Sequence, residues 1–273
     1  MIGILKNAVR NFIDDDGTFL ASGLAFGLLF YCVPFALLTV SALSYSLVSS
    51  DTALLWVRRY SLTLVPRSKD VFDNIVSAIV AKRGLFGAFG FAAFILAAST
   101  TFGSVRLVLN RIFRVREPHG VIRGKFTEVV MMLFTSLLFF LMITVVYLLS
   151  VAQTFVSNVK YLAFLDPGLV AIGYLLSVAS TFGLFWFLYR FSPAETLSRR
   201  GLLVSSGVAT GLFEISKWAF GMYVRYSQGT KMVYGALSAL VFFLLWLYYV
   251  SVIFVFAAEF GCVVDGRTPS RSN

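Results

Sequence analysis

Gly201–Val224 reads GLLVSSGVATGLFEISKWAFGMYV. As a helix this run exceeds the roughly 20 residues needed to cross the hydrocarbon core of a bilayer. Yet Glu214 and Lys217 stand well inside it. Charges in such a segment are costly, and they mark either a site or a structural pair. The i, i+3 spacing puts both on one helix face, where they can touch. One reading is a self-neutralising pair that lets the helix insert and then locks packing. The other is a role in moving or gating something polar.

Composition supports a membrane setting. Of 273 residues, 59% are apolar and only 13% charged, against about 25% charged in a soluble domain. Mean hydropathy is +0.85. These values predict an all-α fold: a polytopic membrane helical bundle of six transmembrane helices with amphipathic surface helices, forming a single domain over residues 1–273. Lys6 and Arg10 precede a charge-free run from Gly17 to Ser50. That is far longer than the roughly 7–15-residue core of a secretory signal, so the segment is expected to remain as an anchor. Cys32 and Cys262 fall in expected spans without a CxxC partner, which argues against a disulfide framework or zinc site. They read as small apolar fillers. No metal or other cofactor is expected. The net charge of +10 points to anionic lipid headgroups rather than nucleic acid.

Taken in order, residues 1–16 predict an interfacial helix. Leu5, Ala8, Val9, Phe12 and Ile13 fall on one face, and Lys6, Asn7, Arg10 and Asn11 on the other. Asp14, Asp15, Asp16 and Gly17 break it, and Thr18 can cap the next helix. Span 1 is expected at about 19–48, bent at Pro34. Residues 49–83 read as an extracytoplasmic connection whose 71–80 stretch forms an amphipathic helix, either on the surface or dipping into the membrane. Span 2, about 85–107, is rich in Gly and Ala, so its neighbours can approach closely. The 106–125 loop carries Arg106, Arg111, Arg114, Arg116, Arg123 and Lys125. Spans 3 to 6 are expected at about 129–157, 169–189, 201–224 and 233–263.

Six spans put both termini on one side. Thirteen Lys and Arg lie on that side and nine on the other, which predicts cytoplasmic termini. Glu214 then lies about 12 residues, roughly 18 Å, below the cytoplasmic start of its span. Similar counting along spans 1 and 6 brings Tyr31 and Tyr248 or Tyr249 into the same layer. The expectation is a polar centre of Tyr31, Glu214, Lys217, Tyr248 and Tyr249. Glu259 is expected at the cytoplasmic rim, neutralised by a basic loop residue.

Four stretches carry a resemblance: LASGLAFGLLFYCVPFALLTVSAL opening span 1, VLNRIFRVRE closing span 2, Tyr234–Gly235 opening span 6, and LLWLYYVSVIFVFAAEF closing it. Together, over nearly the whole chain, they resemble the YihY/BrkB family of bacterial inner-membrane proteins. The resemblance implies about six spans with both ends inside the cell. It also implies links to envelope properties: serum resistance in one branch, lipid-precursor export in another, and an old ribonuclease label. It places Pro34, Asn110, Arg111, Tyr234, Gly235 and Glu259 at recurring family positions.

Ribonuclease chemistry is disfavoured by the residues themselves, and no enzyme activity is expected. His119 is a lone loop histidine, whereas catalysis needs a base, an orienter and a stabiliser in mutual reach. The basic loop lacks the interleaved aromatics of a stacking RNA site. Arg111, Arg114 and Arg116 are candidates to hold a phosphate headgroup, beside the plainer role of setting topology. The leading expectation is transport of an amphipathic anionic lipid-like substrate. The second is a non-transporting scaffold or regulator of an envelope complex. An ion channel is weaker, since no ring of like charges or filter motif is evident.

Overall fold

The computed structural model describes residues 2–47, 83–115, 124, 126–138, 166–226 and 231–267. Among them the regular structure is helical throughout. The helices are α1 (Ile2–Asp14) and α2 (Gly17–Leu47), then α3 (Arg83–Ile112) and α4 (Phe126–Leu138). They continue as α5 (Asp166–Phe191), α6 (Arg199–Tyr226) and α7 (Lys231–Val264). Four contain stretches long and apolar enough to cross a bilayer: Gly17–Ala36, Phe89–Ile112, Ala171–Phe191 and Leu240–Val264. These match expected spans 1, 2, 4 and 6. Expected span 3 is described only as far as Leu138, and the 49–82 connection lies outside the described residues. Expected span 5 is one continuous 28-residue helix, α6. It has the length to cross, but its serines, glycines and charged pair keep it outside the four.

The chain forms two compact units, Met1–Phe26 with Phe102–Asn273, and Gly27–Thr101. The second is knit by aromatic and small-residue contacts. Tyr31 lies 5.6 Å from Phe35 and 5.3 Å from Phe94, ring to ring. The Thr101 hydroxyl donates to the Gly27 carbonyl at 2.7 Å. Helix α2 continues through Pro34, the position of the expected bend, as one helix from Gly17 to Leu47.

In the larger unit α6 packs on both α5 and α7, and α1 lies on α7. Helix α6 is built inside out. Ser205, Ser206, Ala209 and Thr210 are buried, whereas Leu203, Ile215, Trp218 and Met222 are exposed. In water this would strand apolar side chains. In lipid, tails gain nothing by expelling a leucine, so association relies on close packing of small residues. Gly201, Ser205 and Ala209 recur every four residues, and Gly201 and Ser205 meet Gly261. A methyl added at Gly261 would strike the Ser205 hydroxyl and come within 2.8 Å of the Gly201 carbonyl. The buried hydroxyls of Ser205, Ser206 and Thr210 each donate to the carbonyl four residues back, at 3.0, 2.8 and 2.7 Å. That satisfies groups which have no water to turn to.

An aromatic knot ties α5, α6 and α7. Tyr189 is fully buried, stacks on Phe254 at 4.8 Å and donates its hydroxyl to the Phe254 carbonyl at 2.8 Å. Phe185 bridges Phe254 and Phe213. Helix α1 divides the apolar face expected of it. Ala8 and Phe12 turn inward with Asn11, and Phe12 meets Phe256 edge-on at 6.0 Å. Leu5, Val9 and Ile13 form a separate exposed ridge. Asn11, read from the sequence as solvent-facing, is buried because α1 meets α7 along that stripe.

Candidate functional site

The first charged group lies within α6. Lys217 Nζ sits 2.6 Å from Glu214 Oε1 and 5.3 Å from the centre of the Phe213 ring. The carboxylate is the more enclosed partner, with 16% of its side chain exposed against 34% for the lysine. The ring face adds a second attraction for the lysine headgroup. Ser206, Thr210, Glu214 and Lys217 succeed one another at helical spacing, so a polar stripe runs along α6. Beside the pair, Phe213 and Phe220 both pack on Trp246.

The second group is assembled from distant segments at the helix ends. The Asp14–Asp15–Asp16 triplet was expected to break α1. It does break α1, and each aspartate takes a different arginine. Asp14 faces Arg10 at 3.5 Å, Asp15 faces Arg114 at 3.1 Å and Asp16 faces Arg111 at 3.7 Å. Asp16 holds a left-handed backbone, φ 55°, and its carbonyl accepts the amides of Phe19 and Leu20, so it opens α2 where Thr18 was expected to.

Arg114 is the hub. The amide of Val115 reaches the Asn110 carbonyl and that of Arg114 the Arg111 carbonyl, closing α3. This closure puts Arg114 at φ 56°, a position normally given to glycine. The strain is tolerated where surroundings over-determine the side chain, and here they do. Its guanidinium bonds Asp15, the Ile112 and Arg267 carbonyls and the Cys262 sulfur. The end of α7 makes the same closure at Gly266, φ 77°, where glycine meets no strain. Arg267 then reaches the carbonyls of Phe113 and Thr196 and faces Asp265, which accepts the Ser198 amide. Asn110 accepts the Ala194 amide at 2.8 Å.

Glu259, near the end of α7, is buried. It has no exposed surface, and neither carboxylate oxygen has a hydrogen-bond partner among the described residues. Asp15 and Arg114 are the charged groups nearest in effect. Cys262 is more than a filler, since its thiol donates to the Ile112 carbonyl at 3.2 Å.

Of the expected polar centre, Glu214 and Lys217 are brought together. Tyr248 is half-buried against the α5–α7 core, Tyr249 is exposed, and Tyr31 belongs to the other unit. Of the headgroup candidates, Arg111 is half-exposed, Arg114 is enclosed, and Arg116 lies outside the described residues. Asn110, Arg111 and Glu259 serve one cluster of helix ends, while Pro34 is buried in α2. Tyr234 and Gly235 lie in α7, their side chains outside the described set. The roles of Asp15, Asp265, Arg267 and Tyr189 escaped sequence reading. The available signal was an acidic triplet in a chain with a strongly basic loop.

Helices long and apolar enough to cross a bilayer, with the described residues helical throughout their regular structure, mark a membrane protein. The chain belongs to the BrkB family, described as Virulence factor BrkB, which it matches over residues 8–273. A UPF0761 membrane protein of Rhodospirillum centenum is 29% identical over 94% of this chain and 56% of its own length. One from Alteromonas mediterranea is 28% identical over 91% of this chain and 83% of its own. Another, from Halorhodospira halophila, is 27% identical over 72% and 42%. The chain thus spans about half the length of the first and less than half of the third. No solved structure matches it.

Proposed function

We propose that the protein moves an amphipathic, anionic, lipid-like substrate in the bacterial inner membrane, without enzymatic chemistry and with both termini in the cytoplasm. The observation behind this reading is the polar stripe of α6. Ser206, Thr210, Glu214 and Lys217 line one side of a helix that also leaves Ile215, Trp218 and Met222 exposed. A headgroup moving along such a stripe keeps its charge near Lys217 while its tails stay in lipid. Glu214 holds the ammonium in place between passages. The half-exposed Arg111 supplies a basic entry point.

The test is reconstitution into liposomes carrying a fluorescent anionic lipid. Wild type is expected to move the label between leaflets, and Lys217→Met to slow it at least tenfold. Wild-type vesicles no faster than empty ones would refute the reading. A periplasm-only reporter active after Asn273 would refute the orientation.

A second reading, a scaffold for an envelope complex, draws on a different observation. The hydroxyls of the stripe are satisfied by their own helix, and aromatics fill the space beside the pair. It predicts that Glu214→Gln with Lys217→Met is tolerated in cells, while substitutions in the 51–83 segment are not.

A further inference from the structure

We infer that the ridge of α1 left exposed by its docking on α7 is seated in a leaflet of anionic phospholipid, with Lys6 and Arg10 on the phosphates. At about 3.6 residues per turn, the buried stripe of Ala8, Asn11 and Phe12 gives way round the helix to the ridge of Leu5, Val9 and Ile13. Lys6 and Arg10 come next, both exposed, and Asn7 and Asp14 last. Successive sectors of one helix thus suit protein, acyl chain, headgroup and water. An apolar sector bordered by cations suits a helix lying in a membrane interface.

Depth is set by what α1 touches. Phe12 meets Phe256 edge-on at 6.0 Å. Phe256 lies inside the apolar stretch Leu240–Val264, eight residues or roughly 12 Å of helix before its end. Only Asp15 and Asp16 separate α1 from Gly17, where the apolar stretch of α2 opens. Phe19, in the first turn of α2, is itself 76% exposed. Helix α1 is therefore tied to two membrane-crossing stretches at the level where interfacial helices sink their apolar faces about 5–10 Å into the headgroup boundary.

Charge agrees with that placement. Asp15 and Asp16 face Arg114 and Arg111, so neither stands bare toward a phosphate. Asp14 pairs with Arg10 at 3.5 Å, but both are well exposed. Such a pair holds weakly, and the guanidinium can turn to a lipid phosphate on its ridge side. Basic residues beside an anionic leaflet are attracted to it. A second copy of the chain suits the ridge less well. Three side chains fall far short of the roughly 20–30 residues a side of a stable protein interface.

The experiment uses the full chain in nanodiscs of phosphatidylcholine mixed with phosphatidylglycerol. It measures no lipid movement, so it stands or falls apart from the transport reading. The photoreactive residue p-benzoylphenylalanine replaces Val9, and its adducts are read by mass. Lipid adducts should dominate, with phosphatidylglycerol enriched about fivefold over its share of the bilayer. Lys6→Gln with Arg10→Gln should bring that enrichment down to the value found with the probe at Leu175, an exposed residue of α5. The inference is overturned if the probe chiefly captures a second chain or another segment of its own chain. It is equally overturned if the enrichment at Val9 is no greater than at Leu175, or survives the double substitution. Should the Val9 variant fail to fold, the probe at Ile13, the most exposed residue of the ridge, decides the matter.

Discussion

The charged pair of α6 and the charged cluster at the helix ends solve one problem in opposite ways. Each must keep ionisable groups stable away from water. Glu214 and Lys217 do it within a single helical turn, with the lysine partly open. Glu259, Asp15 and Arg114 do it with three segments far apart in sequence, wholly or largely enclosed. The local pair is in place as soon as its helix forms. The distant cluster exists only once α1, α3 and α7 have met.

The largest effect expected is from Arg114→Met. It leaves Asp15 without its cation and the other bonds of the guanidinium unmade; breaking a buried pair costs roughly 3–5 kcal/mol, and with both partners about a quarter exposed the loss should fall at the lower end of that range. Thermal unfolding in detergent should show a much larger drop than for Lys217→Met. Equal drops would erase the contrast between the two sites. Next is Gly261→Ala, which drives a methyl into Ser205 and the Gly201 carbonyl. Overpacking of this kind costs about 1–3 kcal/mol, and adding Ser205→Gly should recover part of it. Tyr189→Phe comes third. It removes the hydrogen bond to the Phe254 carbonyl while the stacking survives, which should cost about 1 kcal/mol. Smallest is Arg10→Ala, whose pair with Asp14 is exposed on both sides. A change of at most a few tenths of a kcal/mol, fading further in salt, is expected.

How far the sequence could be read depends on how local each feature is. Hydropathy located α2, α3, α5 and α7, because lipid solvates side chains almost independently of fold. For α6 it gave the helix, and the structure shows why its apolarity is diluted: Ser205, Ser206 and Thr210 face protein. Glu214–Lys217 was legible because helical spacing alone brings it together. The aspartate triplet was legible as a break, but its pairing of Asp15 with Arg114, 99 residues away, was not. Glu259 was read as a rim charge because counting along one helix cannot see the neighbours that enclose it. Cys262 was read as a filler for the same reason.

The sequence by itself determined that this chain forms apolar helices for a bilayer, that one carries a neutralised charge pair, and to which family it belongs. Those properties reside in single segments and in their order. Only the tertiary structure decided that α6 turns its hydroxyls inward, that Arg114 serves as a hub at a backbone position normally given to glycine, and that Glu259 is fully buried. Burial and long-range pairing are properties of the assembled helices, and no single stretch of chain contains them.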